Sequence, residues 1–317
     1  MELTDLSVII FNRENPGGLI RLLESLESTQ STSPAFDVVL VYCGLNKKVQ
    51  TVLEEHQYGF KLQLIGVAPN TTDAVALNIG SQSTQAKILH FLDSNLEVSP
   101  ELLSLQLKAF ENQEIVAVMG EQFLPPFVKK SRWYRFLDSE YGSLRRWARE
   151  GQTENPPLRY VNTANFSVRR SAFLACGGFD ETMVNREAGD IDLAHRIKAR
   201  TGKKIIYSQE AIAYRQHPPL KVEMNSRFEF GRDGIPGLVD KYPELYHVLP
   251  SRFIKFKDHL PTSVLKQATM QFVMTRPALL LARALRLIGP EALAFWMFRY
   301  MLQYHTIQGI RQAASES

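Results

Sequence analysis

The fold class follows from residues 86–95, AKILHFLDSN, and from the segments that precede them. The first seven of these residues are mostly apolar, as in a buried strand, and three polar residues follow at once. Three similar apolar runs lie upstream, separated from one another by apolar residues at helical spacing. Strands that alternate with helices predict an α/β fold with a doubly wound, mostly parallel sheet. The predicted strands are residues 6–11, 36–42, 61–66 and 86–92, and the predicted helices are residues 19–26, 49–58 and 73–83.

Three of these strands end at a polar or aromatic side chain that could face a ligand. Asn12, Tyr42 and Asp93 stand at or just after the carboxyl ends of the first, second and fourth strands. Sheets of this kind bind ligands in the crevice at the carboxyl ends of their strands. We therefore expect the three side chains to lie at a common site.

The rest of the chain changes from mixed strands and helices to helices alone. After residue 242 only helical spacing remains, with proline near two of the predicted starts. This change predicts one domain at residues 1–245 and a C-terminal helical extension at residues 246–317. The further predicted strands are 115–119, 160–168 and 204–207, and the further helices are 100–110, 190–200, 263–275, 277–288 and 290–310.

The composition is that of an ordinary globular protein: 44% of the 317 residues are hydrophobic and 22% are charged. Two cysteines, Cys43 and Cys176, are too few for a disulfide framework, which favours a reducing compartment. The start, MELTDLSVII, lacks the basic residues of a signal peptide, and no run reaches the roughly 20 apolar residues that span a bilayer. We expect a cytoplasmic protein, either free or peripheral at the inner face of the membrane.

Positive charge is concentrated near the end of the chain. Residues 251–317 contain nine Lys and Arg against three Asp and Glu, although the net charge of the whole chain is only +4. This distribution favours an anionic membrane surface or a protein partner over nucleic acid. The C-terminal helices could lie in a membrane interface, pack on the rest of the chain, or pack on a second subunit of a homo-oligomer.

Two short motifs in the second half of the chain point to a known family. Gly177-Gly178-Phe179-Asp180-Glu181 forms a glycine turn, for which a positive φ and close packing are expected. Gly189-Asp190-Ile191-Asp192-Leu193, with Arg196 beyond it, places carboxylates on a predicted helix. With Asp93-Ser94-Asn95, these motifs resemble the family 2 glycosyltransferases over roughly residues 6–242.

That resemblance implies a Rossmann-related GT-A fold and an inverting, metal-dependent sugar transfer. The donor would be a UDP- or GDP-linked sugar, and the acceptor a hydroxyl of a glycan or of a lipid-linked molecule. Such a reaction builds glycans or polysaccharides. No nucleic-acid partner is implied.

The resemblance also implies a divalent cation, Mn or Mg, because a hard cation with oxygen ligands neutralises a diphosphate. Family members have Asp-x-Asp where this chain has Asp93-Ser94-Asn95, so Asn95 offers a carbonyl oxygen but no charge. His217 occupies the position where many members have a metal-binding histidine. The predicted metal ligands are Asp93, Asn95 and His217. Without the family context, a strand-ending turn and an exposed loop histidine are the alternatives.

Asp190 aligns with the catalytic base of the resembled family. Inverting transfer needs a carboxylate that takes the proton of the acceptor hydroxyl while its oxygen attacks the anomeric carbon. The alternative is a structural role, with Asp190 as the N-cap of a helix and Asp192 in its first turn.

The nucleotide-binding motifs of the family are altered in this chain. Tyr42-Cys43-Gly44-Leu45 replaces the usual Asp-Asp-Gly-Ser, and Leu77-Asn78-Ile79-Gly80 replaces Arg-Asn-x-Gly. Tyr42 could stack on a base, while Asn165 could contact a sugar or instead satisfy backbone groups at a strand edge. The residues expected to contact the donor are Phe11, Asn12, Arg13, Tyr42, Asn78, Asp93 and Asn165.

These departures leave a second interpretation open. The chain could be a catalytically weakened relative that acts as a binding or scaffold protein in a glycan-assembly complex. The loss of acidic residues at Tyr42-Cys43 and at Asn95 favours this scaffold, whereas the retention of Asp93, Asp190 and the glycine turn at 177–181 favours an enzyme.

Overall fold

The structure is a computed structural model that describes residues 5–13, 16–45, 47–128, 130–139, 143–148, 151–215, 218–254, 269 and 273–316. Within these residues, the contacts divide the chain into two compact units. The first unit comprises Met1–Pro126, Glu150–Thr182 and Asp190–Gln216, and the second comprises Phe127–Arg149, Met183–Gly189 and His217–Ser317. The units are interleaved along the chain. The predicted boundary between residues 245 and 246 would separate two segments that fold independently. It stays a prediction.

One mixed sheet forms the centre of the first unit. Within the described residues it has eight strands in the order β3-β2-β1-β4-β7-β6-β8-β5. The pairs β1–β2, β2–β3, β1–β4 and β6–β8 are parallel, whereas β7 is antiparallel to both β4 and β6, and β5 is antiparallel to β8. The strands are β1 (Leu6–Arg13), β2 (Phe36–Cys43), β3 (Lys61–Gly66), β4 (Ile88–Asp93), β5 (Leu96–Val98), β6 (Ile115–Phe123), β7 (Asn165–Arg169) and β8 (Lys204–Arg215).

Helices follow the strands of the first half, as the alternating pattern predicts. The α-helices within the described residues are α1 (Pro16–Ser28), α2 (Lys47–Glu55), α3 (Asp73–Gln82), α4 (Leu102–Ala109), α5 (Arg132–Asp138), α6 (Ser143–Ala148), α7 (Arg170–Ala175), α8 (Arg186–Thr201), α9 (Leu220–Glu229), α10 (Ile235–Lys241), α11 (Arg276–Ile288) and α12 (Glu291–Glu316).

Each element of the first half has an apolar face that the core buries. Leu19, Leu22, Leu23 and Leu26 recur at helical spacing on α1, and all are buried with the apolar residues of β1 and β2. The central strands are covered on both faces, so β2 is almost continuously apolar instead of alternating. Burial of each leucine side chain is worth roughly 2 kcal/mol, which fixes α1 on the sheet.

The predicted doubly wound, mostly parallel sheet is confirmed, and residues 61–66 were predicted without error as β3. Other boundaries differ. The helix predicted at residues 190–200 begins four residues earlier, at Arg186. The strand predicted at 204–207 continues to Arg215, because it pairs with β6 as far as Tyr214 and with β5 over residues 213–215. The predicted helix at 263–275 falls mostly outside the described residues.

Among its described residues, the second unit contains helices and no strand, in agreement with the predicted C-terminal pattern. Trp133 and Phe136 of α5 pack with Phe295 and Phe298 of α12, and the ring centroids of Trp133 and Phe298 are 5.3 Å apart. Proline stands at the first turn of α11, where its missing N–H costs nothing. Among the described residues, none of the helices combines the length and apolar content needed to cross a bilayer.

Candidate active site

The carboxyl ends of three neighbouring strands form the candidate site. In the sheet register Phe11 of β1 pairs with Asp93 of β4, and Asn12 pairs with Tyr42 of β2. The sheet order β2-β1-β4 therefore places Tyr42, Asn12 and Asp93 on adjacent strands at the same edge. The sequence predicted this arrangement from strand ends alone.

Asn12 is fully buried, yet among the described residues neither its Oδ1 nor its Nδ2 has a hydrogen-bond partner. A buried amide without partners costs about 1–3 kcal/mol, because it gives up its bonds to water and gains none. Asn12 is therefore the residue at this edge whose polar atoms the chain itself does not satisfy. A buried amide without partners, paired in the sheet register with Tyr42, is the feature expected of a ligand contact.

Asp93 ends β4 and is only partly buried. Its Oδ1 accepts hydrogen bonds from the backbone N–H of Asn95, at 3.0 Å, and from the Asn95 side-chain amide, at 3.1 Å. These contacts hold the turn after β4 and fix the orientation of the carboxylate. Asn95 itself is exposed.

The oxygen ligand at Asp93 suits a cation that is bound by the protein and by a substrate together. Among the described residues, no group of three or more His, Cys, Asp and Glu side chains is placed to hold a metal ion. Mg²⁺ is usually bound by one or two carboxylates together with substrate phosphates, not by an all-protein cage. One partly exposed carboxylate at the end of β4 fits that mode. His217, the third predicted ligand, lies outside the described residues.

Asp190 lies in the second turn of α8 and is buried. Its Oδ1 accepts a hydrogen bond from the Thr163 hydroxyl at 2.5 Å, and its Oδ2 accepts one from the Thr163 backbone N–H at 3.2 Å. Because the helix begins at Arg186, the alternative role of Asp190 as an N-cap is wrong. The two bonds from Thr163 instead fix the plane of the carboxylate.

One short segment connects the two acidic residues of the candidate site. The backbone N–H of Asp93 donates to the carbonyl oxygen of Ala164 at 2.9 Å, and Thr163, the preceding residue, holds Asp190. Asp93 and Asp190 are therefore attached to consecutive residues, although 97 positions separate them in the chain. Sequence spacing does not point to Thr163, since its bond to Asp190 spans 27 residues.

The glycine turn is tied to α8 by a buried ion pair. Asp192 is fully buried and pairs with Arg196 four residues later, with Nη2 and Oδ2 2.5 Å apart. Arg196 also donates to the carbonyl oxygens of Cys176 and Gly178, at 2.6 and 2.7 Å. Gly177 and Gly178 have φ values of +86° and +73°, which confirms the predicted left-handed turn.

Asn78 binds the other side of the same turn. Its amide nitrogen donates to the carbonyl oxygen of Phe179 and to the Glu181 carboxylate, both at 2.9 Å. Its Oδ1 accepts from the backbone N–H of Phe179 at 2.8 Å. Both donors of the amide are used, so this geometry favours a structural role for Asn78 over the predicted nucleotide contact.

Asn165 is also satisfied within the chain. Its Oδ1 accepts from the Gln106 side chain at 2.6 Å, and its Nδ2 donates to the carbonyl oxygens of Glu121 and Ala211, both at 3.1 Å. Of the two roles that the sequence left open, these contacts favour satisfaction of backbone groups. Asn165 thereby links β7 to β6 and β8.

Two further predicted residues lie at the rim of the site. The Arg13 guanidinium donates to the carbonyl oxygens of Pro69 and Thr71, at 3.0 and 2.6 Å, and stands 5.3 Å from the ring centre of Phe11. Arg13 is exposed and also pairs with the Asp73 carboxylate at 3.4 Å, so its charge next to the strand ends is partly compensated.

His90 lies on β4, three residues before Asp93, and cannot supply charge to the site. Burial lowers the pKa of His90 to about 3, with the Gln106 side chain opposing the shift in part. Its Nδ1 lies 2.8 Å from the Ser167 hydroxyl. His90 is therefore a neutral core residue at physiological pH.

A profile of Glycosyl transferase family 2 matches residues 6–177, more than half of the chain. The chain belongs to this family. The match contains the strand ends of β1, β2 and β4, Thr163 and the first glycine of the turn. As a family 2 glycosyltransferase, the protein transfers a glycosyl group. A comparison with curated protein sequences gave no match.

Solved structures support the GT-A fold. One is the mannosyltransferase PcManGT from Pyrobaculum calidifontis in complex with GDP-Man and Mn²⁺, with 16% identity, a TM-score of 0.60, and coverage of 97% of this chain and 87% of that one. TarS from S. aureus has 14% identity and a TM-score of 0.54, and covers 99% of this chain and 55% of that one. TarS 1–349 in complex with UDP has 14% identity, a TM-score of 0.53, and coverage of 99% and 91%.

Proposed function

We propose that this glycosyltransferase inverts the anomeric centre as it moves a sugar from a UDP- or GDP-linked donor to a hydroxyl of a glycan or lipid-linked acceptor. The observation that carries the proposal is the attachment of Asp93 and Asp190 to consecutive residues, Ala164 and Thr163. A diphosphate ligand and a proton acceptor must lie within one substrate length of each other, and this arrangement supports such a spacing.

Asp190 is the proposed catalytic base. In this mechanism its carboxylate accepts the proton of the acceptor hydroxyl, the hydroxyl oxygen bonds to the anomeric carbon, and the bond from that carbon to the donor phosphate breaks. Thr163 is a positioning residue, because its two hydrogen bonds keep the carboxylate in one orientation without a search through rotamers. Correct orientation of a reacting group lowers the entropic part of the barrier.

Asp93, with Asn95 and His217, would hold Mn²⁺ or Mg²⁺ at the donor diphosphate. When bound, such a cation neutralises the negative charge that develops on the leaving group. PcManGT is in complex with GDP-Man and Mn²⁺ and TarS 1–349 is in complex with UDP, which supports a nucleotide donor and a cation for this chain as well.

Phe11, Asn12, Arg13 and Tyr42 are the proposed contacts to the nucleotide. The amide of Asn12 offers both a donor and an acceptor that the protein leaves unused. Tyr42 can stack on the base, replacing the carboxylates that other members place at this point. Arg13 brings a positive charge toward the phosphates.

Calorimetric titration with GDP and with UDP, each with and without MnCl₂, tests this proposal. We expect Mn²⁺-dependent binding of one nucleotide, and a loss of about tenfold or more in Asp93→Asn. Asp37→Asn is the matched control, since Asp37 lies on β2 near the opposite edge of the sheet and should leave affinity unchanged. Absence of binding to both nucleotides would contradict the proposal and favour the scaffold interpretation. A hydrolysis screen over nucleotide sugars would then identify the donor.

A further inference from the structure

A cavity in the second unit has a lining that the sugar-transfer chemistry does not explain. Its volume is about 460 Å³. Half of the lining side chains are cationic and half are apolar. They are Lys221, Arg283 and Arg286, and Leu220, Met224 and Met301. A cavity with this division suits a ligand that has an anionic head and an apolar body.

The three cations have no anionic partner. Among the described residues, none of Lys221, Arg283 and Arg286 forms an ion pair, and the Nε of Arg286 is buried without a hydrogen-bond partner. The Arg286 guanidinium lies 5.9 Å from the ring centre of Phe298, which fixes it in the cavity wall. Next to Arg283, His305 is kept neutral, because burial and then the charge of Arg283 lower the pKa of His305. The positive charge is therefore concentrated and uncompensated.

The helix α11, which carries both Arg283 and Arg286, also exposes a row of large apolar side chains. On α11, Leu280, Leu281, Leu287 and Ile288 are exposed to 62%, 60%, 63% and 81%. The sequence of α11, RPALLLARALRLI, contains three arginines and no acidic residue. Its C-terminal end is held by Arg132, which donates to the carbonyl oxygens of Arg286, Leu287 and Gly289 at 2.9–3.2 Å. The row is thus presented by a fixed helix.

We propose that this face docks on an anionic bilayer, with a lipid phosphate headgroup in the cavity and the α11 row among the acyl chains. An amphipathic helix binds a bilayer interface through its apolar face and through attraction of its cations to anionic lipids. Charge complementarity selects this occupant. A second copy in a two-fold interface would bring the same uncompensated arginines together, which is unfavourable. The inference does not depend on the proposed reaction.

Flotation of the full chain with vesicles tests the docking. We expect binding to phosphatidylcholine vesicles that contain 30% phosphatidylglycerol, and weak binding to pure phosphatidylcholine. Lys221→Gln/Arg283→Gln should reduce binding to the anionic vesicles about 30-fold, since each cation near such a surface is worth roughly fivefold. Leu280→Gln/Ile288→Gln should reduce binding to both kinds of vesicle. Because all four side chains are exposed or line an open cavity, the thermal midpoints should stay within a few degrees of the parent.

Matched controls separate this surface from general charge and hydrophobicity. Lys108→Gln/Arg200→Gln removes two cations elsewhere, and Val52→Gln/Phe127→Gln removes two exposed apolar side chains; both should bind vesicles like the parent. Vesicle binding of all variants equal to that of the parent would overturn the proposal. Conversion of a parent dimer to a monomer by Leu280→Gln/Ile288→Gln would also overturn it. Binding of inorganic phosphate in the cavity without any binding of the protein to vesicles would do the same. Titration of GDP and UDP on the same samples reports separately on the proposed function.

Discussion

The two halves of the candidate site differ in how completely the chain satisfies its own polar groups. Around α8 and the glycine turn, Asp190, Asp192, Arg196 and Asn78 all have short bonds to neighbouring residues. At the ends of β1 and β2, in contrast, the buried amide of Asn12 has none. The half around α8 and the glycine turn is bonded within the protein, whereas the end of β1 keeps a buried amide that no described residue bonds.

This difference indicates that the half around α8 and the glycine turn is preorganised. The half at the ends of β1 and β2 has a polar group that a ligand would satisfy. A carboxylate held by two hydrogen bonds, as Asp190 is, has its geometry before the substrate arrives. A buried amide without partners costs free energy until something binds it. Substitutions in each half of the candidate site test this contrast.

The largest effect should come from Asp190→Asn. This change keeps the shape of the side chain but removes the proton acceptor, so we expect kcat to fall about 10³-fold or more while donor affinity stays within a few fold. Initial rates and nucleotide titration measure the two quantities. Asp233→Asn, at an exposed ion pair with Arg232, is the control and should retain full activity. Retention of most activity by Asp190→Asn would remove Asp190 from the mechanism.

Arg196→Met tests the bonded half through stability. It leaves the carboxylate of Asp192 buried without its partner and frees the carbonyl oxygens of the glycine turn. We expect the free energy of unfolding to fall by about 3–5 kcal/mol in urea denaturation. Arg200→Met, at an exposed position on the same helix, should change it by less than about 0.5 kcal/mol. Equal effects of the two variants would show that the ion pair does not hold the turn.

Paired substitutions at Asn12 and Asn165 compare a free amide with a satisfied one. Asn165→Leu leaves Gln106 and two carbonyl oxygens without partners, so the protein should lose about 2–4 kcal/mol. Asn12→Leu removes an amide that bonds to nothing in the chain, so stability should stay unchanged or rise, while nucleotide affinity falls about tenfold. If Asn12→Leu left affinity intact, Asn12 would not be a ligand contact.

The smallest effect per experimental step, one pH unit, concerns His90, which lies in the strand that ends at Asp93. Its pKa is about 3 in the folded protein and about 6.5 when unfolded, so between these values only the unfolded chain binds the proton. Stability should therefore fall by about 1.4 kcal/mol for each pH unit as pH drops from 6.5 toward 3. His90→Gln should have a shallower dependence in urea denaturation between pH 6 and pH 4. Identical slopes would place the acid sensitivity elsewhere.

The sequence predicted the first half of the fold well, because its signals are local. Apolar runs of strand length gave β1 to β4, and strand ends alone brought Asn12, Tyr42 and Asp93 together. The early start of α8 was missed because Gly189, a weak helix former, stands inside it. The helices α9 and α10 were also missed, although Pro219 stands just before α9 and Pro236 lies in the first turn of α10.

Roles that depend on distant partners could not be predicted. The sequence alone does not distinguish Asn78 and Asn165 from Asn12. Only their contacts in the folded protein, to Phe179 and to Gln106, do so. Thr163 has no local signal at all. A hydrogen bond between residues 27 positions apart is a property of the folded chain, not of spacing.

The assembly of the second unit from three separate stretches has a consequence for handling the protein. Trp133 and Phe136 precede Asp190 in the chain, yet their ring partners, Phe298 and Phe295, come near the end. A recombinant fragment that stops before residue 290 would keep the first two rings and lose the other two. Such a fragment would expose an apolar aromatic surface that promotes aggregation. Poor solubility of the shortened protein would therefore reflect this lost packing and not a defect of the sheet.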